Sequence, residues 1–340
     1  MNICVIGDGL ISLTLAKTLI NNKIKVFMYC KNNKKTSRNN RTIGITSNNL
    51  NFFQKEIIKI KKNLFWGIEQ IEIYNEQNKK EKILNFEEPK RILFSIIKNN
   101  DLYDLLSRNL EKSNNFKKII IKNKFFYKKI IKNNKYDLII NCDGTNEISK
   151  KYFFRKILKN YESKAYITII NHNRIQNKKA IQIFTKHGPI AFLPISRNQT
   201  SIIYSIKNRS INKKLELSQE EFEKLISTNN KLYEINSINK FETFILKSKT
   251  LRNYYNNNIL AFGDMLHQIH PLSGQGFNMT LRDIKVFLNL LKDRENLGLP
   301  IDHTICKQFE NQTKHLNFIF SLGNDFVGIP KTAKMSFSEV

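Results

Sequence analysis

Residues 3–12 read ICVIGDGLIS: four apolar residues, a turn carrying Gly7 and Gly9, then the start of a second apolar stretch. In that stretch Leu13, Ala16, Leu19 and Ile20 recur at helical spacing, and another apolar run, KIKVFMYC, follows over 23–30. Strand, glycine turn, helix and strand in this order open a doubly wound α/β fold. In such a turn the first glycine permits the tight bend and the second lets a pyrophosphate approach the backbone. A small third residue, here Ser12 instead of glycine, lets the helix pack closely on the strand. The helix that begins near Leu10 would present backbone N–H groups to a phosphate. Gly7, Gly9, Leu10 and Ser12 therefore read as a dinucleotide site, against the plainer reading of a strand–turn–helix corner. The acid expected about 20 residues on, at the end of the second strand, is missing. Cys30 stands there, with Asn32 and Asn33 just beyond. A neutral amide can still bond a ribose hydroxyl, without the charge assistance that is worth about 1.5–3 kcal/mol.

The α/β texture continues with a helical segment over 101–112 and a buried strand within 136–144. From about residue 161 it changes. KAYITII, AIQIF, AFLPI and TSIIYSI are β-rich segments between polar turns, the pattern of an antiparallel sheet. Ser218 followed by Glu221 marks a helix start with a capping box, and another strand is expected over Phe241–Leu246. NILAFGD (258–264) and LRDIKVFLNLL (281–291) return to α/β, and helix is expected to about Leu322. The fold class that follows is α/β: a Rossmann-like domain with an inserted antiparallel-sheet domain and C-terminal helices. The boundaries read as 1–66, 91–160 and 252–300 for the first domain, 67–90 and 161–251 for the second, and 301–340 for a helical segment and tail.

The chain has 340 residues, 41% hydrophobic and 25% charged, a globular balance. Lys and Arg number 57 against 29 for Asp and Glu, a formal charge of +28. The lysines are scattered, as in FKKIIIKNK, not gathered in an arm or interleaved with stacking aromatics, so no nucleic-acid partner is expected. Compositional drift towards Lys, Asn and Ile accounts for the excess, with peripheral contact to an anionic membrane as a by-product. Cys4, Cys30, Cys142 and Cys306 are far apart and no C-x-x-C occurs, which points to a reduced, cytoplasmic compartment. The first strand starts almost at Met1, leaving no room for a transit segment, and no run of 18 apolar residues is present.

Residues 260–283, LAFGDMLHQIHPLSGQGFNMTLRD, are the most specific stretch. An apolar strand ends in Gly263-Asp264, followed by His267, His270-Pro271, Gly274-Gln275-Gly276, Asn278 and Arg282-Asp283. Asp264, His267 and His270 could be a metal trio, but the glycines and the His-Pro step argue against it, and no metal is expected. His270 also reads as a buried, hydrogen-bonded histidine, and Asp264 as a helix N-cap. The stretch resembles the FAD-dependent aromatic hydroxylases of the para-hydroxybenzoate hydroxylase fold, and most of all the ubiquinone-biosynthesis hydroxylases. Their pattern is G-D-A-A-H-x-x-H-P-x-x-G-Q-G-x-N-x-x-x-R-D, with Met265-Leu266 here in place of two alanines. RTIGIT at 41–46 resembles the family's R-x-x-A-L-S. NCDGTNEISK keeps Asp143 and Gly144 of A-D-G-x-x-S-x-x-R but has Glu147 and Lys150 for the Ser and Arg. AIQIFTKHGPIAFLPIS resembles E-R-F-T-x-x-G-P-x-A-x-L-P: Gln182 and Ile183 replace the Glu-Arg pair, while Phe184, Thr185, Gly188, Pro189, Ala191, Leu193 and Pro194 stand.

The resemblance covers about residues 1–320. It implies FAD as cofactor, NADH or NADPH as reductant, and O2 and a polyprenylated phenol of ubiquinone biosynthesis as substrates. By the same token Arg41 would lie beside the flavin and Asp264 would hold its ribityl chain. The segment Pro271, Gly274, Gln275, Gly276, Asn278 would run along the isoalloxazine, and Asp143 and Gly144 would complete the site. No catalytic acid or base is identified. The departures at Ser12, Cys30, Glu147 and Gln182 leave an alternative: a catalytically degenerate paralogue acting as a scaffold among other ubiquinone-biosynthesis proteins. The enzyme itself would be cytoplasmic, with peripheral contact at the inner membrane.

Overall fold

The structure is a computed structural model that describes residues 1–31, 41–76, 82–87, 91–121, 123, 125–132, 135–207, 217–268 and 276–327. The chain opens with β1 (Asn2–Ile6), α1 (Leu10–Asn21) and β2 (Lys25–Lys31). Next come β3 (Thr42–Thr46), α2 (Ser47–Phe52), β4 (Phe65–Ile68), β5 (Gln70–Asn75), β6 (Lys82–Glu87) and β7 (Phe94–Lys98). Then follow α3 (Asn99–Glu111), β8 (Phe116–Ile121), α4 (Phe125–Lys132), β9 (Leu138–Asn141) and α5 (Glu147–Tyr152). β10 (Lys156–His172), β11 (Lys179–Thr185), β12 (Gly188–Pro194) and β13 (Gln199–Lys207) make a long antiparallel run. It is closed by α6 (Gln219–Asn229), β14 (Ile235–Ile238) and β15 (Glu242–Leu251). β16 (Tyr255–Asn256), β17 (Ile259–Ala261), β18 (His267–Gln268), α7 (Gly276–Asn296) and α8 (His303–Val327) complete the described chain.

Three sheets result. The first runs β16-β17-β9-β1-β2-β8, and its β17, β9, β1, β2 and β8 are parallel. Its inner strands β1, β2, β9 and β17 are short apolar runs buried on both faces, as a parallel sheet requires, while the edge strand β8 leaves Lys117, Lys118 and Ile120 exposed. α1 packs beside α3 and α7 against it. α3 presents Leu102, Leu106 and Leu110 at i, i+4, i+8, all fully buried. The expected α/β class and inserted sheet are thus present. The α3 helix begins two residues and α7 five residues earlier than their sequence patterns indicate, and β15 extends to Leu251, five residues beyond the expected strand end. A three-stranded sheet, β3-β7-β4, is not signalled by the sequence reading.

The inserted sheet has the order β18-β15-β10-β13-β12-β11-β5-β6, with β14 paired to β10. Its register sorts side chains onto two unlike faces. Ile183, Ile190, Tyr204 and Tyr166 stand in one cross-strand row and are buried with Phe222 and Ile226 of α6. α6 starts at the expected capping box: the Ser218 hydroxyl accepts from the Glu221 N–H at 3.2 Å, and the Glu221 carboxylate accepts from the Ser218 N–H at 2.8 Å. The next row, Gln182, Ala191 and Ile203, points the opposite way and is only half-buried. This second face meets the small sheet. The Thr42 hydroxyl donates to Ser201 Oγ at 3.2 Å, and Lys98 Nζ donates to Gln199 Oε1 at 3.0 Å.

This register gives the missing Glu-Arg pair two different meanings. Position 183 faces the α6 core and position 182 the half-open face. Ile183→Arg is expected to bury an unpaired cation and lower unfolding stability by about 3 kcal/mol or more. Gln182→Glu should stay within about 1 kcal/mol of the parent. Denaturant melts of both variants check this, and a tolerated arginine at 183 would show that the faces are assigned the wrong way round.

Candidate active site

The carboxyl ends of β1, β9 and β17 lie side by side, the place where open α/β sheets take their ligands. A buried polar knot shapes the chain beyond β9. Asn141 Nδ2 donates to Ser149 Oγ at 2.9 Å, Asn146 Nδ2 donates to Asn141 Oδ1 at 2.8 Å, and Asn146 Oδ1 caps α5 through the Ser149 N–H at 2.9 Å. The turn so formed carries Asp143 and Gly144. Asp143 Oδ1 accepts from the Thr145 N–H and hydroxyl at 2.8 and 2.7 Å, and Lys31 Nζ lies 3.0 Å from Oδ2. Burial alone would raise this carboxyl, but the Thr145 bonds and Lys31 outweigh it and hold it below the usual carboxylate range.

The Gly7–Ser12 turn lies next to it. Gly7 has φ +115°, its N–H donates to the Tyr29 carbonyl at 2.8 Å, and a Cβ there would come within 3.0 Å of Ser12 Oγ. Ser12 thus packs directly against Gly7, leaving little room for a side chain there. Gly9 is the N-cap of α1. It offers no side-chain cap, the first turn beginning at Leu10 holds no acid, and a Cβ at Gly9 would meet nothing within 4 Å. The first N–H groups of α1 therefore lack a side-chain cap, and the space beside Gly9 is open, an arrangement that a pyrophosphate fits.

Gly263 has φ +65°, and a Cβ on it would sit 2.5 Å from Ile11 Cγ2. The Gly263–Met265 turn therefore rests directly on the first turn of α1. Asp264 projects from it, exposed, on the side shared with Gly144 and Lys249. Lys249 Nζ comes within 3.3 Å of a Cβ placed on Gly144. Desolvation lowers its pKa, with Asp264 acting against the shift and Lys156 adding to it. The sequence reading missed Lys249: it is one cation among 57, and only the pairing of β15 with β18 brings it here. The neighbouring Cys142 thiol is pushed up to about 12, chiefly by desolvation, and stays protonated at neutral pH.

On the far side of the turn, Asn278 in the first turn of α7 ties three segments together. Its Nδ2 donates to the Gly44 carbonyl at 2.8 Å. Its Oδ1 accepts from the Thr46 N–H at 3.0 Å and from Asn49 Nδ2 at 2.9 Å. Arg41, exposed at the start of β3, lies over the Phe244 ring at 6.0 Å, where β3 meets the inserted sheet. Gly276 begins α7, and a Cβ there would meet nothing within 4 Å. Pro271, Gly274, Gln275 and His270 lie outside the described residues.

The sequence reading gave no role to the pair His267 and Asp283. His267 Nε2 and Asp283 Oδ2 are 2.7 Å apart, both side chains fully buried. Asp283 also accepts from Arg282 at 2.8 Å, Arg282 bonds Asn317, and Asn317 donates to Tyr254 at 3.2 Å. This network anchors β18 to α7 and α8. Among the described residues His267 Nδ1 has no partner.

Cys30 is buried beside the glycine turn, near enough to Asp8 for that carboxylate to act on its thiol. It is 2% exposed, and its thiol lies 3.7 Å from the Ile119 carbonyl of β8. The next residue, Lys31, occupies the rim and spans to Asp143 and Thr145. Gly7, Gly9, Leu10, Ser12, Asp143, Gly144, Gly263 and Asp264 are thus brought together at one sheet edge. Asn278 and Arg41 stand where α7 and β3 approach the half-open face of the inserted sheet.

The sequence model of the family described as squalene epoxidase matches residues 135–322. Among curated proteins, ubiquinone hydroxylase UbiL of Rhodospirillum rubrum is 26% identical over 165 residues, 48% of this chain and 38% of the relative. The 3-demethoxyubiquinol 3-hydroxylase of Escherichia coli is 26% identical over 147 residues, 42% of this chain and 37% of the relative. The matched stretch thus spans well under half the length of either relative. Among solved structures, PqsL, a probable FAD-dependent monooxygenase from Pseudomonas aeruginosa, superposes with a TM-score of 0.76 at 11% identity, covering 96% of this chain and 95% of that one. The 2-methyl-3-hydroxypyridine-5-carboxylic acid oxygenase gives 0.73 at 13% identity, covering 96% and 90%. These superpositions carry the fold, and the ubiquinone hydroxylases stand as distant relatives. With more than half of its length matched by that family's model, the chain belongs to the squalene epoxidase family of flavoprotein monooxygenases.

Proposed function

We propose that the chain binds FAD at the edge formed by β1, β9 and β17 and hydroxylates the ring of a polyprenylated phenol, with NADH or NADPH as reductant. The observation that carries the cofactor assignment is the contact of the Gly263–Asp264 turn with the first turn of α1. It sets a carboxylate beside an uncapped helix terminus, which supports the assignment because a ribityl diphosphate needs both. FAD would supply the activation of O2 when bound and reduced. The protein's part is orientation. The N–H groups at Gly9–Ser12 hold the pyrophosphate, and Asp264, with Lys249 behind it, accepts from ribityl hydroxyls. Asn278 fixes the amino end of α7, whose partial positive charge favours electron density gathering beside it. The substrate would lie against Gln182, Ala191 and Ile203, a half-buried face with little charge. The ubiquinone ring is the class of substrate named for the curated relatives, and a prenylated ring matches the apolar character of that face.

A second reading keeps the fold as a scaffold among ubiquinone-biosynthesis proteins. The observation in its favour is the rim itself: no acid stands at the end of β2, and the Lys31–Asp143 bridge crosses above Gly7 from β2 to the turn after β9.

Two measurements separate these readings. Fluorescence titration should show FAD binding that Asp264→Ala weakens by about 1.5–3 kcal/mol, roughly ten- to a hundredfold in Kd. No binding by the parent chain would favour the scaffold. Cys30→Glu should lower stability by about 2–4 kcal/mol, because its carboxylate must enter an apolar strand, and should not tighten FAD. Tighter binding by this variant would mean that position 30 faces the ribose after all.

A further inference from the structure

Away from the flavin edge, a groove of about 1330 Å³ runs between the start of β10, the β15–β16 connection and α8. Three large apolar side chains stand open along it: Phe154 is 62% exposed, Ile157 49% and Phe318 51%. Five cations share the lining, Arg155, Lys156, Arg252, Lys307 and Lys314, against one carboxylate, Glu310, which Lys314 already pairs at 2.8 Å. The Arg252 N–H donates to the Arg155 carbonyl at 3.0 Å, so the two strand-end segments are held together as one wall. The opposite wall is a single stripe of α8, Lys307, Asn311, Lys314 and Phe318 at i, i+4, i+7 and i+11. The other face of that helix, Ile305, Cys306, Phe309, Thr313 and Asn317, is fully buried.

With a formal +28 most faces of this molecule are basic, so charge alone distinguishes nothing. What this groove adds is a single concavity lined both by exposed aromatic and aliphatic surface and by five cations, with one carboxylate among them. Apolar surface of that kind, rimmed by cations, contributes nothing to the core and fits an amphiphilic partner. We infer that this groove is the face on which the protein docks to an anionic phospholipid surface. Phe154, Ile157 and Phe318 would enter the headgroup–acyl boundary while the five cations meet lipid phosphates. Charge complementarity selects the lipid sign. The choice of a bilayer rests on the proposed prenylated substrate, whose tail resides there. Scattered lysines then act on one surface because the fold gathers some of them beside apolar residues, which the sequence alone does not disclose.

Co-sedimentation of the full chain with phosphatidylcholine vesicles, with and without phosphatidylglycerol, tests this. Binding is expected only with phosphatidylglycerol and is lost in high salt. Lys307→Glu/Lys314→Glu and Phe154→Ser/Phe318→Ser should each weaken it by at least about tenfold. Lys112→Glu/Lys117→Glu removes as much charge far from the groove and should leave most of the binding. Circular dichroism melts confirm that each variant is folded. Equal loss in all three variants, equal binding to neutral vesicles, or no binding at low salt would overturn the proposal. So would a dimer in solution that Phe154→Ser/Phe318→Ser dissolves, because a second copy would then cover the groove. None of these readouts involves hydroxylation. Vesicle binding without turnover of a prenylated phenol would refute the substrate assignment alone, and turnover without vesicle binding would refute the docking face alone.

Discussion

Gly263 rests on Ile11 so closely that a single methyl group at 263 would lie 2.5 Å from its side chain. The arrangement of the candidate site depends on this contact. It joins two motifs about 250 residues apart in sequence, the glycine turn after β1 and the Gly-Asp turn after β17. It does so only because β17 lies beside β9 and β9 beside β1 in the parallel sheet. A larger residue at 263 would lift Asp264 off the start of α1 and separate the carboxylate proposed to hold the ribityl chain from the N–H groups proposed to hold the pyrophosphate. The positive φ at 263 adds a second reason for glycine there.

Around that contact, buried polar networks hold what the apolar core cannot orient. The Asn141–Asn146–Ser149 knot sets the turn of Asp143 and Gly144, and Asn278 latches α7 to β3 and α2. The His267–Asp283 pair continues through Arg282 and Asn317 to Tyr254, whose hydroxyl is pushed up to about 12 mainly by desolvation and so remains a neutral hydrogen-bonding group. Each network joins groups from different elements, so each fixes an angle between elements as well as a local turn. A site shared between a parallel sheet and an inserted antiparallel sheet needs such fixing, because neither sheet alone defines the crevice.

Much of this was legible in the sequence where chemistry is local. The run ICVIGDGLIS gave strand, turn and helix because its periodicity and its glycines act within a dozen residues. The capping box at Ser218 and Glu221 was readable for the same reason. The Gly263–Asn278 motif was readable because its residue types are rare in combination. What stayed hidden depends on pairing across the chain. Lys249 reaches Gly144 through strand register, and the β3-β7-β4 sheet forms from segments of only four or five residues that are distant in the chain. The position of Cys30 was legible as the ribose position of the motif, but not the turn of its thiol towards β8, since one residue of strand phase decides which face it takes. The exposed phenylalanines of the basic groove were invisible for a similar reason: a Phe in sequence carries no mark of whether it is buried.

The turn after β1 and the turn after β17 are proposed to form one flavin cradle. The most direct measurement is the flavin content of the purified chain after incubation with FAD and removal of the excess, read from its visible spectrum and from the flavin released on denaturation. The account predicts one FAD per chain, released intact and therefore non-covalent, and a Gly263→Ala variant that stays folded but retains far less of it. A folded parent chain that retains no flavin, or a Gly263→Ala variant that retains as much as the parent, would contradict it.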